Sequence, residues 1–165
     1  MCVQASKLSP ERVIICSVEA AQVPAWLMKA HVGLAFYQSG FSRVGTCPTK
    51  LGEYLAMGLP VVVTKGVGDT EPLVTTRRVG AVLSACCPLA YGLALDALEQ
   101  LWADPHLSVR CRAVAEECFS LAQGVASYWR VYQRLTGASQ EPESHEHGVA
   151  SMSEEPADGA LHVMS

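Results

Sequence analysis

Residues 45–69 read GTCPTKLGEYLAMGLPVVVTKGVGD. The order is a proline, a stretch with helical spacing, Gly-Leu-Pro, a β-branched run and a glycine-rich loop. Pro48 suits the first turn of a helix over residues 49–57, Gly-Leu-Pro follows, and Val61-Val62-Val63-Thr64 reads as a strand. A strand that is apolar almost throughout is buried on both faces, because a half-exposed strand alternates polar and apolar residues. The stretch therefore predicts a helix feeding a strand inside a parallel sheet.

The alternation continues on both sides. Val13-Ile14-Ile15-Cys16 reads as a strand, residues 23–30 as a helix with Pro24 in its first turn, and residues 32–36 as a second strand. After the central strand come a short helix near residues 71–76 and a strand over residues 79–83. The fold class expected is α/β, a partial, doubly wound, Rossmann-like parallel sheet. From Pro88 the pattern turns helical, with Leu89, Leu93, Leu95, Leu98 and Leu101 on or near one stripe until Asp104-Pro105. Helices over residues 107–121 and 125–135 follow, the second closed by Gly137.

Composition bounds the function classes. At 165 residues, 50% hydrophobic and 17% charged, the chain can bury one globular core. The longest nearly apolar run, residues 81–95, is broken by Ser84 and Pro88 and falls short of the ~20 residues of a membrane span. The opening MCVQASKLSPER lacks the basic start, apolar stretch and cleavage site of a secretory signal, so an intracellular, cytoplasmic protein is expected. Seven cysteines without a Cys-x-x-Cys pair predict buried reduced thiols and no metal site.

Residues 140–165 carry Glu141, Glu143, Glu146, Glu154, Glu155 and Asp158 with no Lys or Arg. With few aliphatics, they cannot offset the entropy of ordering and are expected to form a disordered acidic tail, 138–165, behind a folded body, 1–137. His145 and His147 in that tail read as solvated rather than metal-binding. The body is mildly basic once the tail is set aside, which argues against a nucleic-acid face and suits a small phosphate-bearing ligand.

In an open parallel sheet, ligands sit outside the carboxyl ends of the strands. Two loops qualify, residues 37–48 and 65–70. With Pro48 as first helical residue, Cys47 takes the cap position, where cysteine is a poor substitute for Ser or Asp. The amides of Thr49 and Lys50, the helix dipole and the Lys50 ammonium then favour a phosphate. Glu53, three residues on, offers a carboxylate able to accept two hydroxyl hydrogen bonds, as from a ribose diol. The competing reading, which spacing alone favours, is that Lys50 and Glu53 form only a solvent-facing helix pair.

Residues 31–83, HVGLAFYQSGFSRVGTCPTKLGEYLAMGLPVVVTKGVGDTEPLVTTRRVGAVL, closely resemble the C-terminal, donor-binding domain of family-four glycosyltransferases of the two-Rossmann GT-B type. The likeness reaches back through VPAWLMKA and forward to RCRAVAEECFSLAQGVASYWRVYQRL, about residues 10–136. It implies transfer of a sugar from a nucleotide-diphosphate sugar to an unknown acceptor, with retained configuration and without a metal or other cofactor. The family uses two glutamates with seven residues between them. The second corresponds to Glu53, on the ribose hydroxyls, and the first falls on Gly45, a departure that leaves the sugar open. Thr49 and Lys50 would take the diphosphate, and Ser39 and Gly45 complete the expected donor-binding set, while no catalytic residue is assigned.

The likeness begins near the family's third donor-domain strand. The partner expected is therefore an N-terminal acceptor domain, and residues 13–16 must pair directly with residues 32–36 or leave buried backbone groups unpaired. Two other readings stand beside this one: a non-catalytic interaction module built on the same fold, and a GT-B-type nucleotide-sugar epimerase. Neither predicts transferase activity when an acceptor domain is supplied.

Cutting the chain after Gly137 is expected to leave the thermal midpoint and any nucleotide binding unchanged. A clear loss of either, by calorimetry on the shortened chain, would show that the tail docks.

Overall fold

Three prolines stand where helices begin, and the elements follow from them. The computed structural model describes residues 9–38 and 40–137. In chain order these form α1 (Val23–Leu27), β1 (Gly33–Ala35), α2 (Thr49–Ala56), β2 (Val61–Thr64), α3 (Thr70–Arg77), β3 (Gly80–Leu83), α4 (Pro88–Trp102), α5 (Leu107–Phe119) and α6 (Leu121–Thr136), with short 3₁₀ turns between some of them. Ser39, Cys2, His145, His147 and the whole of 138–165 lie outside the described residues. Two compact units, Met1–Tyr128 and Trp129–Ser165, divide the chain; the first holds the sheet, and the described part of the second is the end of α6.

The sheet is parallel, in the order β1-β2-β3, with Val61 opposite Gly33 and Gly80 and Val63 opposite Ala35 and Val82. All four residues of β2 are buried, which the unbroken VVVT run predicts. Val61 and Val63 point to one face and join Leu51 and Leu55 of α2, Val74 of α3 and Cys111 and Val114 of α5. Val62 points to the other and packs with Ala81, Leu83 and the Ala90-Ala94-Leu98 stripe of α4. Helices thus cover both faces, and the α/β class expected from the alternation is the fold observed.

The Gly-Leu-Pro of the opening stretch is a helix stop with a defined geometry. Gly58 adopts φ +76°, its amide donates to the Leu55 carbonyl at 2.9 Å, and the Leu59 amide donates to the Tyr54 carbonyl at 3.0 Å. These are the two bonds of a Schellman cap, and the accompanying apolar residue, Leu59, is buried. The Pro60 carbonyl then accepts the Gly33 amide at 2.9 Å, so the turn delivers the chain directly into register beside β1. Gly33 serves a different need: a side chain there would run into the ring of Tyr54, which lies against β1 from α2.

Three expectations are corrected. Residues 13–16 are not a strand; they carry no regular structure, and Ile14 and Ile15 are 78% and 80% exposed. β-Branched residues favour a strand only where a pleated surface receives them, and here the backbone stays open to water. It thereby avoids the ~1–3 kcal/mol that each buried unpaired group would cost. Pro48 is the cap of α2 rather than its first residue, at φ −68° and ψ 112°, because proline fixes φ but leaves ψ free to stay extended. Most of the thiols are not buried either: Cys16, Cys47, Cys86 and Cys118 are exposed, Cys87 is intermediate, and Cys111 alone among the described cysteines is buried.

Near the end of α3 the chain turns through Arg78 at φ +52°, a left-handed conformation uncommon for a residue with a side chain. Arg110 of α5 bonds the Arg78 carbonyl through Nε at 3.1 Å and the Asp104 carboxylate through Nη1 at 2.6 Å. Asp104 also accepts the His106 amide at 2.9 Å. The Arg110 hydrogen bond, helped by the His106 amide, holds the Asp104 carboxyl below its ordinary value.

Two outcomes follow for stability. Leu55→Ala, at a position with no exposed surface, is expected to cost about 2–5 kcal/mol in urea unfolding, whereas Ile14→Ser should stay within about 0.5 kcal/mol of the parent. Because the folded Asp104 carboxyl titrates below its unfolded value of about 3.9, its contribution is fully present above that pH and fades as the pH falls through the lower folded value. Asp104→Asn should therefore lower the thermal midpoint at pH 7, and the gap to the parent should close in strong acid.

Candidate functional site

The carboxyl ends of β1 and β2 and the first turn of α2 meet in one region, and its two loops are tied to each other. The Gly68 amide donates to the Arg43 carbonyl at 2.9 Å. Gly68 takes φ +47°, and a side chain on it would strike the Thr46 carbonyl, so this glycine admits a close crossing of the loops. Thr70, buried at the start of α3, donates its hydroxyl to the Val67 carbonyl at 2.6 Å. Tyr37, leaving β1, donates its amide to the Thr64 hydroxyl at the end of β2 at 3.1 Å. The glycine-rich stretch is thus largely committed to holding the loops together.

α2 begins without a side-chain cap. The Pro48 carbonyl accepts the Leu51 amide at 3.0 Å, while Thr49 and Lys50 occupy the first two helical positions, whose amides have no partner in the preceding turn. Lys50 Nζ lies 2.7 Å from Glu53 Oε2, with the side chains 55% and 42% exposed. The pair that the spacing predicts is formed. Its hydrogen bond and charge raise the Lys50 pKa above the ordinary lysine value, so the ammonium persists through neutral and mildly alkaline pH.

Three clefts surround α2. The largest, about 530 Å³, lies between α2 and α5 and is lined by Thr49 and Glu53 opposite Arg112 and Glu116. The second, about 350 Å³, sits at the strand ends among the two loops and holds Gly45, Cys47, Asp69 and Cys118. A third, about 320 Å³, runs between α2 and the segment holding α1; Lys50 and Glu53 face Val23, Pro24 and Leu27 across it.

No family model, no curated protein and no solved structure matches the chain. What can be said of its chemistry comes from its own residues. Lys50, Glu53 and Thr49 are gathered on the first turns of α2, as the sequence predicts, but Gly45 lines a different cleft from Lys50, and Ser39 lies outside the described residues. The reading of spacing missed the apolar wall of α1, because nothing in residues 20–27 announces that they pack beside α2. It also missed Arg112 and Glu116; their one-turn spacing on α5 marks a shared helix face but not its partner. Among the described residues no cluster of three or more His, Cys, Asp or Glu could hold a metal ion, and no helix is long and apolar enough to cross a membrane.

Proposed function

We propose that this chain is part of the donor-binding domain of a GT-B glycosyltransferase, which transfers a sugar from a nucleotide-diphosphate sugar to an acceptor held by another domain. The observation that carries the reading is the groove in which Glu53 and Lys50 stand opposite the apolar wall of Val23, Pro24 and Leu27. At about 320 Å³ it is at the lower end of the size range of small-molecule sites. Its chemistry suits a nucleotide: an apolar surface for a base, a carboxylate for two ribose hydroxyls, and an ammonium beside free helix amides for phosphate.

In this reading the chain binds and orients the donor, and no catalytic residue is assigned to it. The Lys50–Glu53 pair opens when ligand arrives, the carboxylate accepting the ribose diol while the ammonium turns to the diphosphate. Both side chains are largely exposed, so little is lost by exchanging one partner for another. Once the pair opens, the Lys50 ammonium is still charged across the neutral range, as any solvated lysine is.

A non-catalytic interaction module is the second reading, and a specific feature favours it. Leu34 and Phe36 are 53% and 45% exposed beside the edge of β1 that pairs with no other strand among the described residues, a surface on which a partner could pair. Transfer activity separates the two readings.

Uridine or guanosine diphosphate should bind the chain itself only weakly, with amide shifts in an NMR titration at Thr49, Lys50 and Glu53; micromolar affinity by calorimetry would instead mark a self-sufficient binding module. Joined to an acceptor domain and the first two strands of a related donor domain, the chain should transfer sugar. In that hybrid Glu53→Gln should lower donor affinity roughly tenfold to a hundredfold with an unchanged thermal midpoint. Lys50→Ala should weaken the diphosphate more than the free nucleoside. A Glu53→Gln variant that binds and turns over donor like its parent would remove Glu53 from the site.

A further inference from the structure

Two exposed, free thiols line one cavity. Cys47 ends the loop that leads to Pro48 and α2, Cys118 lies in the last turn of α5, and both line the cleft of about 350 Å³ at the strand ends. We propose that Cys47 and Cys118 are an oxidisable pair whose disulfide closes this cleft. This assignment stands independently of the nucleotide reading.

Burial separates these two thiols from Cys111, and a shared cleft separates them from the other exposed cysteines. Cys111, two turns earlier on α5, has no exposed surface, and burial pushes its pKa up to about 11, which leaves it protonated and shielded. Cys118, on the other hand, is exposed at the cleft and held there from a second element. The Arg77 guanidinium at the end of α3 pairs with Glu117, the residue before Cys118, and so links this end of α5 to α3. Cys47 lies on irregular chain. Residues 44–48 belong to no helix or strand; Cys47 is exposed between Thr46, whose carbonyl lies against Gly68, and the buried Pro48. A disulfide requires the two Cβ atoms to approach to about 3.5–4.5 Å, so the short segment between those anchors and the last turn of α5 must draw together.

With a peroxide as oxidant, the sulfur of one cysteine attacks a peroxide oxygen, the O–O bond breaks, and the thiol proton leaves with the departing oxygen as water. The sulfenic acid so formed is attacked by the second sulfur; an S–S bond forms, the S–OH bond breaks, and a second water carries off the second thiol proton. Two electrons pass from the sulfurs to the peroxide. The product ties the loop carrying Gly45 to α5, one residue before Pro48, the cap of α2.

Full-length protein treated with a small excess of hydrogen peroxide and digested with trypsin tests this directly, because residues 44–50 and 113–130 form separate peptides that each contain one cysteine. The expected result is an intact-mass loss of about 2 Da, a cross-linked pair of those two peptides, and full reversal by dithiothreitol. Cys47→Ser and Cys118→Ser should each abolish the cross-link while keeping the parent's thermal midpoint. A protein that oxidises elsewhere, as at Cys86 and Cys87, that stops at separate sulfenic acids, or that forms no disulfide overturns the proposal.

Discussion

Everything described in the first unit depends on β2 being paired along both edges and buried on both faces. A strand in that position must satisfy its backbone groups through neighbouring strands and its side chains through two helical layers at once. Val61 and Val63 draw α2, α3 and α5 to one side, while Val62 draws α4 to the other. The helix-to-strand turn at Gly58 serves the same end. Its two capping hydrogen bonds release the chain so that Pro60 and Val61 are already beside β1 and β3.

That arrangement also decides where chemistry can occur. With β2 fixed, the loops leaving β1 and β2 emerge together, and the Gly68–Arg43 hydrogen bond locks their crossing. The first turn of α2 is left uncapped beside them and is ringed by three clefts. Lys50 and Glu53 thus occupy a helix start that is polar, exposed and adjacent to apolar walls. The same loop geometry places Cys47 and Cys118 on the lining of one cavity, although 70 intervening residues separate them in sequence.

The legibility of the elements tracked how local their causes are. The helices at Thr49–Ala56, Thr70–Arg77 and Pro88–Trp102 and the strands at Val61–Thr64 and Gly80–Leu83 fall within about a residue of the expected spans, because proline, glycine and apolar periodicity act over a single turn or strand. Residues 13–16 have the same local signal as a strand and form none, since pairing requires an edge in the right place and no short-range pattern encodes that. The cysteines failed similarly. Cys111 and Cys118 lie on one helix seven residues apart, yet the first is packed in the core and the second, in the last turn, is exposed at the cleft.

The sequence by itself determined the α/β class, the span of the helix before Gly58, the buried valines and the closeness of Lys50 to Glu53, because each follows from backbone preferences or from positions within one element. Only the tertiary structure decided which residues share a cleft. It set α1 opposite Glu53, separated Gly45 from Lys50, left Ile14 and Ile15 in water, and brought Cys118 to the loop of Cys47. Those placements come from helices docking on a sheet. They depend on the shape of surfaces far apart in the chain, which hydrophobic spacing along the chain does not specify.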